Sequence, residues 1–67
     1  MKIKELITLC ENVTPKTNIM VFATVEDYDF YTPFWQGFTA EQLKDCENLV
    51  AKFKISPYQN LLVIALA

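Results

Sequence analysis

The chain opens on a helical period. Ile3, Leu6, Ile7 and Cys10 stand at i, i+3, i+4 and i+7 and form one apolar stripe. Lys2, Lys4, Glu5 and Glu11 fall largely on the opposite face. This spacing predicts a short amphipathic helix over residues 2–11. Asn12, Thr14 and Pro15 end it, because proline disfavours helical geometry at the residue before it. From Asn18 to Val25 the period changes. Ile19, Val21, Ala23 and Val25 alternate with Met20 and Phe22, so both faces of this segment are apolar. The pattern predicts a strand over 18–25 inside a sheet covered on both sides. Glu26-Asp27-Tyr28-Asp29 reads as an acidic hairpin turn, and the aromatic run 30–37 as a second strand. Pro33 cannot donate to a ladder, which makes that strand an edge or a bulged one.

Thr39 and Gln42 have capping-box spacing, and Phe38 and Leu43 match the hydrophobic staple, so a helix is expected to start at Ala40. Its end is ambiguous. Leu43, Cys46, Val50 and Phe53 keep helical spacing to residue 53, whereas Leu49, Ala51, Phe53 and Ile55 alternate like a strand. Ser56-Pro57-Tyr58-Gln59-Asn60 is a turn, and the apolar run 61–66 is a buried strand. The expected fold is therefore a single α+β domain over 1–67, with a small antiparallel sheet and two short helices in the order α-β-β-α-β-β. The alternative replaces the third strand with a longer helix over 40–53.

Covering such a sheet is demanding. Four strands of six residues present a face of about 380 Å², and two helices of eight or nine residues shade about 240 Å². Either the aromatics fold over the second face or another chain covers it. The aromatic group Tyr28, Phe30, Tyr31, Phe34, Trp35 and Phe38 reads both as core and as an interaction surface, since Trp and Tyr dominate interface hot spots.

Charge and composition narrow the chemistry. Six lysines face eight acidic residues, for a net −2, with no arginine and no histidine. Without the bidentate fork of arginine, and with its lysines scattered, the chain is not expected to bind nucleic acid. The lack of histidine removes the usual general base, and a single glycine leaves no phosphate-cradling loop. Ser56, the one serine, precedes a proline without a base nearby. Glu26, Asp27 and Asp29 are the one acidic cluster, and three carboxylates without a glycine fall short of a Ca²⁺ loop. Cys10 and Cys46 are not a CxxC pair and read as reduced core residues. No catalytic residue, metal site or cofactor is expected. The longest apolar run, 61–67, is far shorter than the roughly 20 residues that span a bilayer. No signal peptide is visible, so the expected location is the cytoplasm.

Several segments together carry a likeness: Met1-Lys2-Ile3-Lys4-Glu5-Leu6-Ile7, then Val21 and Phe22, Glu26-Asp27-Tyr28-Asp29, Gly37, and Asn60-Leu61-Leu62-Val63-Ile64. With them the chain resembles a loose group of small α+β proteins encoded by phages, prophages and gut Firmicutes, a group without an established activity. The second strand is more aromatic here than in the group, and no charge follows the last strand. The resemblance implies a genomic neighbourhood and supports the closing hairpin, but it transfers no functional residue. The functional expectation is a non-enzymatic protein of a phage or mobile element that acts by protein–protein binding, as an inhibitor or regulator of a host or defence protein. The alternatives are a self-associating homodimeric structural or housekeeping protein, or a small-ligand sequestering protein. The candidate interaction surface is Tyr31, Phe34 and Trp35 with Glu26, Asp27 and Asp29. Its expected partner is a protein or a second copy, with no nucleic acid and no membrane.

Overall fold

A computed structural model describes residues 1–31 and 36–67. In chain order these residues form α1 (Ile3–Leu9), β1 (Asn18–Phe22), α2 (Val25–Phe30), β2 (Gln36–Thr39), β3 (Val50–Ser56), a 3₁₀ turn (Pro57–Gln59) and β4 (Leu61–Leu66). The fold is α+β, as expected, with two helices and four strands among the described residues. Its order is α-β-α-β-β-β rather than α-β-β-α-β-β.

The sheet runs β2-β1-β4-β3. β1 pairs antiparallel with β2 and parallel with β4, and β3 pairs antiparallel with β4. It is thus a mixed sheet, not the antiparallel one expected. The two apolar-on-both-faces strands, β1 and β4, sit side by side at its centre, where such strands belong. On the first face Ile19, Leu62 and Ile64 pack with Ile3 and Leu6 of α1 and with Ala40. On the second face Phe22, Val63 and Ala65 are buried, and α2 lies over β1 and β4.

α1 spans Ile3–Leu9, inside the expected 2–11, and the Lys2 N–H donates to Glu5 Oε1 at 3.0 Å at its start. β1 ends at Phe22, three residues early, because Thr24 begins something else. Its hydroxyl accepts from the Asp27 N–H at 3.0 Å and caps α2. The acidic hairpin turn at 26–29 is therefore a helix. Glu26 and Asp27 occupy its first turn, where carboxylates are favoured by the helix dipole. Of the strand expected over 30–37, Gln36 and Gly37 lie in β2 (Gln36–Thr39). Phe30 belongs to α2, Tyr31 is its left-handed C-cap (φ 52°), and the calls on Pro33, Phe34 and Trp35 fall outside the described residues.

No helix starts at Ala40. The Thr39/Gln42 box does form, with Thr39 N–H donating to Gln42 Oε1 at 2.8 Å, but it closes turns over 40–45 instead. Tertiary bonds limit how far a helix could run from here. Ala40 N–H donates to Thr17 O, while the Cys46 and Asn48 carbonyls accept from Lys4 and Ile3 N–H at the start of α1. A helix continuing past Cys46 would have to release those carbonyls. The longer helix over 40–53 is overturned by β3, and the closing hairpin of β3 and β4 stands.

Candidate interaction surface

Tyr28 and Tyr31 set the position of α2. The Tyr28 ring meets Phe22 edge-on at 6.1 Å and the Tyr31 ring lies 5.4 Å from it at 58°. Phe22 is fully buried beneath them. Phe and Tyr pairs in such geometries are favourable beyond their buried area. The chain's own aromatics thus close part of the second sheet face. With Tyr28 turned inward, Phe30 is turned out and is 76% exposed, and Tyr31 keeps 53% of its surface exposed.

An ionic strut ties α2 to the far edge strand. Lys52 on β3 is opposite Ala65 and so shares the second face. Its Nζ lies 2.6 Å from Asp29 Oδ1 and 5.3 Å from the Tyr28 ring centre. The hydrogen bond to Asp29 raises the Lys52 ammonium pKa above its ordinary value. Both side chains are nearly half-exposed, so the pair orients more than it stabilises.

Of the six residues singled out from the sequence, α2 and its cap bring together four. Glu26 is exposed in the first turn, and Asp27 is half-buried with its backbone N–H capped. Asp29 is engaged with Lys52, and Tyr31 packs on Phe22. Phe34 and Trp35 lie outside the described residues. Sequence reasoning counted Phe30 in the aromatic group that reads as core or interaction surface but left it out of the candidate surface. It also missed Lys52, although the Lys52/Lys54 alternation was visible.

Other features hold little chemistry. Cys10 and Cys46 are free, half-buried thiols packed against the core. Among the described residues no group of three or more Cys, Asp or Glu is placed to hold a metal ion. No described helix is long and apolar enough to cross a membrane. A cavity of about 240 Å³ lies on the first face between Ile3, Val21, Leu43 and Leu66, below the roughly 300–1,000 Å³ of ligand pockets. Its polar lining is Asn48, whose Oδ1 lies 3.3 Å from the Cys46 thiol. No family model, curated protein or solved structure matches this chain.

Proposed function

We propose that this protein is a non-enzymatic binding protein that acts by contact with another protein through the exposed end of α2. The observation that carries this reading is the outward placement of Phe30, 76% exposed, on a helix whose first turn carries the Glu26 and Asp27 carboxylates. Burying a phenylalanine side chain is worth about 1.5–3 kcal/mol. A domain of this length has only about 3–10 kcal/mol of net stability. An aromatic left outside such a small core is a large contribution forgone by folding and available to association. The resemblance to phage and prophage proteins supports a cytoplasmic inhibitor or regulator of a host or defence protein.

The test is retention of proteins from host extract on immobilised wild type and on the Phe30→Ser variant, with light scattering on both. Phe30 is exposed, so the variant keeps the fold. The expected result is a monomeric wild type that retains a discrete partner which the variant loses. Retention unaffected by the substitution would contradict the reading. A wild-type dimer dissociated by the substitution would replace the foreign partner with a second copy.

A further inference from the structure

We propose that the outer edge of β3 receives an extended segment of a partner protein, carrying alternating acidic and apolar residues, as a fifth strand of the sheet. The proposal rests on the protein-binding reading and names the partner's chemistry at a second, adjoining surface. Three observations carry it.

Beyond Val50 the edge has no partner among the described residues. Its start is closed by the chain itself: Val50 N–H donates to Met1 O at 2.8 Å, and Lys2 bridges antiparallel to Leu49. The edge therefore already accepts a segment in antiparallel extended form, and then continues to Ser56 with no described partner on its outer side. An edge strand presents outward N–H and C=O groups that an incoming strand completes.

The side chains on the edge are sorted by face. Lys52 and Lys54 stand opposite Ala65 and Val63 on the second face, while Phe53, opposite Ile64, stands on the first and is 47% exposed. Lys52 is matched by Asp29, whereas Lys54 makes no ion pair among the described residues. An incoming strand with carboxylates on one side and apolar residues on the other matches both, and its carboxylate completes Lys54.

The same lysines disfavour a second copy in the registers centred on residues 52 to 54. An antiparallel β3–β3 pairing centred on Phe53 sets Lys52 against Lys54 twice. Centred on Lys52 or on Lys54, it sets that lysine against itself. Like charges directly opposite destabilise a strand pair, so the edge disfavours its own copy and selects an acidic strand. β2, the other edge, has four residues and no charged side chain to select a partner.

The test is a titration of ¹⁵N-labelled protein with an N-acetylated peptide of alternating Glu and Val, followed by amide shifts, beside a peptide of alternating Lys and Val. The expected result is saturable, salt-weakened binding of the acidic peptide, with shifts concentrated on residues 51–56. The basic peptide should not bind, and Lys54→Glu should weaken the acidic peptide about fivefold or more. No binding of the acidic peptide, equal binding of both peptides, indifference to Lys54→Glu, or shifts centred on α2 would each overturn the proposal. Such a failure leaves the wider reading standing if the partner retained through Phe30 is still captured.

Discussion

Asn60 shows how much one side chain settles in this fold. It sits in the left-handed region (φ 51°) at the turn into β4, and its Oδ1 accepts from the hydroxyl of buried Thr17 at 3.1 Å. Asparagine tolerates that backbone geometry better than other residues with a Cβ. Asn60→Ala should therefore lose about 1–3 kcal/mol in denaturant melts, through the αL cost and the lost side-chain hydrogen bonds to Thr17 and Lys16. Asn60→Gly should lose less, because it removes the side-chain hydrogen bonds to Thr17 and Lys16 without the αL cost. At the other end of the molecule Lys4 Nζ bonds Glu47 Oε1 at 2.9 Å and ties α1 to the segment before β3. That hydrogen bond lowers the Glu47 carboxyl pKa below 4.5 and raises the Lys4 ammonium pKa above 10.5. The carboxylate's contribution is present above pH 4.5 and fades as pH falls through the lowered value; the ammonium's is present below 10.5 and fades as pH rises through the raised one. Melting of wild type and Glu47→Gln should differ at neutral pH and low salt and converge in acid. A difference that persists in acid would show that the carboxylate is not what holds this contact. The turn at Asn60 was legible as Ser-Pro-Tyr-Gln-Asn, whereas Lys4–Glu47 was not, because partners 43 residues apart leave no local signal.

α2 decides the architecture at the scale of elements. Thr24→Ala should cost about 0.5–2 kcal/mol in melts by removing the cap at Asp27. No loss would argue against a helix starting there. Phe22→Ala, which removes the ring beneath Tyr28 and Tyr31, should cost about 3–5 kcal/mol. That is enough to unfold a domain of this size over part of its stability range. α1, β1 and the closing hairpin were legible because period and turn residues agreed over whole segments. α2 was not, although Thr24 followed by Glu26 and Asp27 is a helix-start signature. The alternating apolar run ending at Val25 concealed it, and three acidic residues looked like a solvated turn. The Thr39/Gln42 box misled in the opposite direction: its hydrogen bonds form, but the carbonyls at 46–48 serve α1. The parallel β1–β4 pairing could not be read locally either, because the loop 13–17 and the turn at Asn60 bring together residues 43 apart in the chain, such as Asn18 and Leu61. Asn18 N–H donates to Asn60 O at 3.0 Å at that junction.

At the scale of the whole molecule, the second sheet face is covered in part from within. The area argument from the sequence set both helices over one face and left the cover of the other open between the chain's own aromatics and another chain, whereas α2 lies over the second face. α2 places Tyr28 and Tyr31 inward over Phe22 and leaves Phe30 outside. The surface proposed for a partner is the outer side of α2, joined through Asp29 and Lys52 to the edge of β3. Binding through this surface predicts a partner affinity that depends on Phe30 and not on the fold. The most direct measurement is calorimetric titration of the retained partner against wild type and Phe30→Ser, with thermal melts of both. The account predicts unchanged melting and an affinity about 30-fold weaker in the variant, equivalent to the loss of one hot-spot aromatic at about 2 kcal/mol. Equal affinities at equal stability would contradict it.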